Sequence, residues 1–339
     1  MTARELVRAA LRHEETERCP YNLMLSPPAA ERLREHYGTD DLQGHLDLSL
    51  YLFGCAGKPL YASPEEHGPT VTDEFGVVWS TSGIDRGYPV RHRLAEATLR
   101  GYQFPNPLAP ERWAQVSDLA GQYPQQFRLA VIGDLWERAH FLRGLDRLLM
   151  DLHEAPGFVH ELLDRICEYN LVTLEGMAAL GPEGVFISDD YGFQDRLMMS
   201  PRDWRQFVKP RLARLLAAAK QHGLVTMLHS CGNVTAVVPD LIEKGLDILH
   251  PIQPEAVDVL ALKREYGRDL TFCGGISTQR TLPYGTPEDV RAEVEARATA
   301  LGRGGGYILE PGITVQADVP LANLVALVEA AQGYRRVRA

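Results

Sequence analysis

The sequence has few cysteines and no long apolar run. Its 339 residues include only five cysteines, an odd and widely scattered set that argues against a framework of disulfide bonds. No stretch of 18 or more apolar residues occurs, so no transmembrane helix is expected. The first residues also lack the apolar segment of a signal peptide. We therefore expect a cytoplasmic protein with reduced thiols.

An excess of positive charge is also missing. The formal net charge is −10, which argues against nonspecific binding to nucleic acid or to an anionic membrane surface. Hydrophobic residues make up 45% of the chain, enough for a substantial core.

Short apolar runs alternate with helical patterns along the chain, most regularly in the last third. Such runs are typical of parallel strands that are covered on both faces. Seven are clear, and an eighth is expected within Leu46–Phe53. The seven are Cys19–Leu25, Phe127–Gly133, Gly184–Ser188, Val225–His229, Asp247–His250, Leu270–Cys273 and Tyr307–Leu309. Eight alternating units predict an α/β fold of the (β/α)₈ TIM-barrel type.

The main alternative is a doubly wound open sheet. It is disfavoured because no glycine-rich phosphate-binding fingerprint follows the first strand. We expect residues 1–339 to form a single barrel domain with an irregular insertion around residues 61–122. Within that insertion, Thr70–Ser80 has the pattern of a hairpin.

Polar residues that can bind metals recur directly after the predicted strands. In a (β/α)₈ barrel the active site lies at the carboxyl ends of the strands. The residues at these positions are Asp189, Asp190, His229, Cys231, Gln253, Cys273 and Glu310. Their recurrence at corresponding positions predicts an active site at this end of the barrel.

His229 and Cys231 form the sharpest pair. Zinc favours imidazole nitrogen and thiolate sulfur, and a predicted helix begins just after Cys231. The free N–H groups and dipole of a helix amino terminus stabilise the thiolate that binds metal. The alternative is a buried cysteine with an incidental histidine. The position of the pair at the end of a predicted strand favours the interpretation that it forms half of a zinc site.

A catalytic zinc ion normally has three protein ligands and one open position. Cys273 and Glu310 are both candidates for the third ligand. Cys273 offers the softer ligand, although it could instead be a small core residue. Glu310 lies within an apolar run, and a buried carboxylate needs a partner, which could be a metal or a structural ion pair.

Asp189, Asp190 and Gln253 are candidates for catalytic roles. One of the aspartates could orient a metal-bound imidazole, bind a cationic substrate group or act as a general base. The alternative is that the pair caps a helix. Gln253 is expected to point into the mouth of the barrel.

Several segments together resemble the uroporphyrinogen decarboxylase superfamily, whose fold is a (β/α)₈ barrel. The resemblance covers nearly the whole chain and is most specific in the last 150 residues. It rests on Ala9–His13, Ser188–Gly192, Val225–Val234, Pro239–Ile242, Gly245–Leu249, Pro251–Pro254, Phe272–Ile276 and Gly304–Leu309.

The superfamily has two main activities. Its decarboxylases carry an amino-terminal arginine motif that binds the substrate's carboxylates, whereas the matching segment here, Tyr21–Pro28, has no arginine. Its corrinoid-dependent methyltransferases carry the His-x-Cys zinc motif, matched here by His229 and Cys231. In that branch a third cysteine usually follows the last strand, but Glu310–Thr314 contains none.

The resemblance therefore implies a zinc-dependent methyltransferase. It would move a methyl group between a small-molecule donor or a thiol acceptor and a corrinoid (cobalamin) carried by a partner protein. The direction of transfer stays open. The alternatives are a uroporphyrinogen decarboxylase, and a non-catalytic barrel that binds a corrinoid or a metal.

Overall fold

The chain folds around a seven-stranded parallel sheet. A computed structural model describes residues 1–55, 58–82 and 86–336. The sheet strands, in spatial and chain order, are β1 (Leu50–Gly54), β5 (Phe127–Gly133), β6 (Gly184–Ser188), β7 (Val225–His229), β8 (Ile248–Ile252), β9 (Thr271–Ile276) and β10 (Tyr307–Pro311). A separate antiparallel sheet contains β2 (Thr70–Thr72), β3 (Val78–Ser80) and β4 (Pro89–Arg91).

The sheet strands are continuous apolar runs because both of their faces are covered. Every residue of β8, β9 and β10 is buried. One set of side chains, with at least one from each of the seven strands, packs together as a core of its own. Val7 of the first helix joins this core, whose strand members are Leu50, Phe127, Leu129, Phe186, Met227, Ile248, Cys273 and Ile308. Such a core is expected on the inner face of a curled sheet.

A short segment connects the two outer strands of the sheet. Asn22 donates its N–H to the carbonyl of Leu309 in β10, and Ser49, just before β1, donates its N–H to the carbonyl of Tyr21. The predicted parallel α/β sheet is confirmed. The predicted first strand, Cys19–Leu25, forms only isolated bridges, to Leu309 and Val315. Pro20 has no N–H to donate, which limits regular pairing there.

Helices lie before, between and after the sheet strands. They span Ala3–Leu11, Pro27–Tyr37, Leu42–His45, Pro64–His67, Pro110–Trp113, Val116–Ala120, Trp136–Arg143, Leu145–Glu154, Pro156–Ala178, Pro201–Asp203, Lys209–Gln221, Val238–Glu243, Val259–Tyr266, Thr281–Tyr284, Pro287–Gly302 and Leu321–Gly333. A π-helical turn spans Trp204–Val208, and a 3₁₀ turn spans Thr235–Val237. None of the helices in the described part of the chain combines the length and apolar character needed to cross a membrane.

Buried charges hold the insertion against the helix that follows β5. Asp73 lies in the turn of the predicted hairpin, and its carboxylate accepts a bond from the indole N–H of Trp79, which is fully buried. Arg138 donates to Asp73 at 2.8 Å and to Asp134 at 3.2 Å. The hairpin is thereby held against the helix that follows β5.

The single-domain organisation of residues 1–339 stays a prediction.

Register places the carboxyl ends of the central strands side by side. Ser188 of β6 is paired with His229 of β7, which is paired with His250 of β8. Glu310 of β10 is paired with Gly275 of β9. Side chains that are distant in sequence therefore meet at one end of the sheet.

All five cysteines are free thiols, as predicted.

Candidate active site

A cavity of about 700 Å³ opens over the carboxyl ends of the sheet strands. Its polar lining includes Lys58, Glu137, Asp190, His229 and Cys231. Its apolar lining is formed by Leu23, Met24, Leu25, Leu50, Leu52, Leu60, Phe186 and Ile313. A larger cavity of about 890 Å³ lies against the last helix and contains none of the predicted site residues.

Asp190, His229 and Cys231 form a compact cluster on the floor of this pocket. Their ligand atoms all lie within 4.8 Å of one another. The Nε2 atom of His229 is 3.4 Å from the Sγ atom of Cys231 and 3.3 Å from an oxygen of Asp190. The backbone N–H of Cys231 also donates to that oxygen at 2.8 Å. The loop after β6 thus holds the loop after β7.

The separations within this cluster suit a zinc ion. Zinc bonds of about 2.3 Å to sulfur and about 2.0–2.2 Å to nitrogen or oxygen, arranged tetrahedrally, place neighbouring ligand atoms roughly 3.3–3.6 Å apart. The two distances from His229 Nε2, 3.4 and 3.3 Å, are close to this range. Imidazole, thiolate and carboxylate are all zinc ligands. The residues fit the metal that the His-x-Cys motif implies.

The electrostatics of the cluster favour a bound cation. Burial disfavours a charged imidazole, but Cys231 and Asp190 outweigh burial and raise the pKa of His229 to about 10. Burial also opposes ionisation of Asp190, yet the bond and charge of His229 hold the pKa of that carboxyl well below its usual range. Burial raises the pKa of the Cys231 thiol, and His229 opposes the rise. A metal that neutralises the anions would favour the thiolate.

Glu310 and Cys273, the two predicted third ligands, lie in a second cluster with His250. This is the other group of at least three possible metal-binding side chains among the residues that the structure describes. Glu310 is 3.3 Å from His250 Nε2, and Cys273 donates to the same carboxylate at 2.9 Å. All three are buried, with relative exposures of 1% or less. Neither Glu310 nor Cys273 lines the pocket.

Asp189 and Gln253 contact backbone groups near the pocket. The Asp189 carboxylate accepts N–H bonds from Trp136 at 3.1 Å and Glu137 at 2.7 Å, and so caps the helix after β5. Burial raises the pKa of Asp189 to about 7 although these bonds oppose the rise. Gln253 accepts a bond from the backbone N–H of Gly232. Both contacts position segments around the site, and the predicted catalytic roles stay predictions.

The sequence analysis missed several charged residues at the pocket. Lys58 forms ion pairs with Glu137 and with Asp134, the latter at 3.2 Å. Arg86 also pairs with Glu137, at 3.2 Å. Glu137 lies four residues after the end of β5, in the first turn of the helix Trp136–Arg143, and not at the strand end itself. Lys58 and Arg86 lie on either side of the predicted hairpin, in stretches of the sequence that have no strand or helix pattern to place them.

We expect Gly192→Ala to weaken zinc binding about tenfold or more, because the loop carrying Cys231 must move. A Cβ atom on Gly192 would lie 2.6 Å from the backbone nitrogen of Asn233 and 2.7 Å from the carbonyl oxygen of Cys231. Gly157→Ala is the control, since no atom lies within 4 Å of the added carbon. Competition with a chromophoric chelator measures the affinity. Equal affinities in both variants would contradict the expected loop displacement.

Comparisons with known proteins agree with the resemblance seen in the sequence. The family model for uroporphyrinogen decarboxylase (URO-D) matches residues 131–334. A solved methyltransferase from Methanosarcina mazei superposes with a TM-score of 0.75 at 19% identity, covering 98% of this chain and 99% of that chain. At this identity the match supports the fold alone.

Curated relatives come from both branches of the family. The chain is 30% identical over 174 residues to the methylcobamide:CoM methyltransferase MtaA of Methanosarcina barkeri, which is 51% of this chain and 48% of that protein. It is 25% identical over 288 residues to MtbA of Methanosarcina acetivorans, covering 84% and 76%. A uroporphyrinogen decarboxylase of Psychromonas ingrahamii is 24% identical over 180 residues, covering 52% and 48%. The matched part therefore spans about half the length of the first of these relatives.

Proposed function

The chain belongs to the uroporphyrinogen decarboxylase family, and from this premise we propose that it is a zinc-dependent methyltransferase that works with a corrinoid protein. The methyl group would move between the corrinoid and a small-molecule donor or thiol acceptor. The observation that carries the proposal is the cluster of Asp190, His229 and Cys231 on the floor of an open pocket. Relatives named as methylcobamide:CoM methyltransferases support the same chemistry.

His229 and Cys231 would hold the zinc ion, with Asp190 as the third ligand. We assign this position to Asp190 because its oxygen lies 3.3 Å from His229 Nε2 and faces the pocket. Glu310 and Cys273 are less suited to the role because they bond to each other outside the pocket lining. When bound, zinc would act as a Lewis acid that keeps a substrate thiol ionised near neutral pH or activates a methyl donor.

The chain's own residues would prepare the pocket for this reaction. Asp190 holds the loop of Cys231 through the backbone N–H bond of 2.8 Å. Leu23, Leu52 and Phe186 would exclude water from the walls, which strengthens electrostatic interactions at the floor.

We also propose that the segment at residues 20–22 closes the sheet into the predicted (β/α)₈ barrel. The corrinoid partner would then approach the open mouth in the cytoplasm, the compartment that the sequence predicts.

The pocket gives little support to a decarboxylase. A polycarboxylate substrate needs cationic partners, best supplied by arginines that can form two bonds. Among the described residues that line the pocket, the only lysine is Lys58 and the only arginine is Arg86. Both side chains already form ion pairs with Glu137. The third possibility, a non-catalytic barrel, predicts binding without turnover.

The proposal is tested by metal analysis and methyl transfer on the purified wild-type protein. We expect about one zinc ion per chain and transfer of methyl from methylcobalamin to a small thiol such as coenzyme M, or from a methylated thiol to cob(I)alamin. Chelation should remove both zinc and activity, and zinc should restore them. Full activity without zinc would contradict the proposal, as would decarboxylation of uroporphyrinogen or zinc binding with no transfer in either direction.

A further inference from the structure

One contact joins the buried cluster of Glu310, Cys273 and His250 to the pocket cluster. The Nδ1 atom of His229 lies 3.0 Å from the Nδ1 atom of His250. The other ring nitrogen of His250 lies 3.3 Å from Glu310. A continuous row of polar groups therefore runs from a fully buried carboxylate, through two imidazoles, to the Nε2 atom that faces Cys231.

Glu310 is surrounded by donors, so the row has a defined direction. One oxygen accepts from the side-chain amide of Asn22 at 2.8 Å, and the other accepts from the thiol of Cys273 at 2.9 Å. An ionised carboxylate accepts hydrogen bonds and donates none. The nitrogen of His250 that faces this carboxylate must therefore carry the proton.

The same reasoning extends to His229. A neutral imidazole with its proton on Nε2 can only accept at Nδ1. His250 then accepts at Nδ1, and His229 must donate from its own Nδ1 across the 3.0 Å contact. The unprotonated nitrogen of a neutral His229 is consequently Nε2, the atom 3.4 Å from Cys231 Sγ. This is the tautomer that can bind a metal beside that thiol.

We propose that Glu310 and His250 are positioning residues that select the metal-binding tautomer of His229 through two successive hydrogen bonds. Metal-binding histidines commonly donate their second N–H to a carboxylate or carbonyl group, which sets the ring orientation and raises ligand basicity. Here a second histidine stands between the ligand and the carboxylate. The proposal rests on the proposed zinc site and assigns Glu310 to the support of that site instead of to the metal.

The tautomers can be read directly by long-range ¹H–¹⁵N correlation spectroscopy on protein with ¹⁵N-labelled histidine. In the zinc-loaded wild type we expect His250 to carry its proton on Nε2, and His229 to carry one on Nδ1 with Nε2 bound to zinc. His250→Asn and His229→Gln spectra assign the signals. A proton on Nδ1 of His250 would overturn the proposal.

Two substitutions of His250 separate the tautomer role from packing. Phenylalanine fills the site beside Phe186, whose ring centroid lies 5.8 Å from that of His250, but it offers no acceptor to His229. Asparagine is smaller, yet its side-chain oxygen can take the place of Nδ1 and accept the same bond. We expect His250→Phe to weaken zinc binding by about 10- to 100-fold and His250→Asn by only about threefold. A role limited to filling space predicts the reverse order, because asparagine leaves a cavity that phenylalanine does not. Loss of the Glu310 partner alone would lower the stability of His250→Phe but leave the tautomer of His229 unchanged, so the ¹H–¹⁵N spectrum of that variant separates the two effects.

The measurements distinguish this proposal from the proposed function itself. If the wild type binds no zinc, the zinc-dependent function fails, while the tautomer of His250 can still be read in the metal-free protein. If zinc binds as expected but His250→Phe retains full affinity, only the positioning role fails. If His250→Phe does not fold, the wild-type tautomers and the affinity of His250→Asn decide the question.

Discussion

Cys231→Ala is expected to abolish zinc binding and to lower methyl-transfer activity by more than about 100-fold, a larger effect than the loss of a group that only supports a ligand. The thiolate is the strongest zinc ligand in the cluster, and its Sγ atom lies 3.4 Å from His229 Nε2. Without it, one imidazole and one carboxylate remain on the pocket floor. Zinc content and transfer from methylcobalamin to a thiol measure the two effects.

Cys55→Ala is the matched control for this substitution. Cys55 is a free and partly buried thiol, like Cys231, but it does not line the pocket. We expect it to retain full zinc content and activity. His229→Ala should reproduce the loss seen with Cys231→Ala. Retention of one tightly bound zinc ion by Cys231→Ala would place the metal elsewhere in the chain and contradict the assignment.

Arg138→Met is expected to lower the free energy of unfolding by about 3–5 kcal/mol. The Arg138 side chain is only 6% exposed, and it separates the buried carboxylates of Asp73 and Asp134. Its guanidinium also lies 4.2 Å from the ring centroid of Phe75. Methionine fills similar space but leaves two buried negative charges without this partner. Equilibrium unfolding in urea, followed by circular dichroism, measures the loss.

Arg205→Met provides the comparison for Arg138→Met. Arg205 also bonds to an aspartate, Asp240, but its side chain is 48% exposed. Exposed ion pairs contribute about 0–1 kcal/mol, so a much smaller loss is expected. Adding Asp73→Asn to Arg138→Met should recover part of the stability, since one uncompensated charge is then removed. Equal losses at positions 138 and 205 would contradict an effect of charge burial.

The strands were predictable because parallel strands buried on both faces are continuous apolar runs. β5, β6 and β7 have the predicted bounds, and the carboxyl ends of the strands carry the expected polar residues. Helix starts were less regular. The sequence has a helical pattern over Glu255–Tyr266. In the structure the helix begins only at Val259, because the side chain of Asp258 caps it by accepting N–H bonds from Leu260 and Ala261.

The eight-stranded pattern was harder to judge from the sequence. Cys19–Leu25 has the apolar character of a strand, but in the structure it contributes only isolated bridges. Pairing depends on which backbone N–H groups meet a neighbouring carbonyl, and composition does not record this. The roles of Asp189 and Glu310 could not be decided from the sequence either, because the groups that bond to each carboxylate are distant in the chain.

The alternation of strands and helices, the family and the His229–Cys231 pair could all be predicted from the sequence, since they depend on local patterns and short spacings. Which acid faces that pair could be seen only in the folded chain. Folding brings a carboxylate oxygen of Asp190 to 3.3 Å from His229 Nε2 and places Glu310 behind His250, although all the strand ends look alike in the sequence. The physical reason is that strand register and the curl of the sheet determine which side chains enter the pocket and which remain in the core.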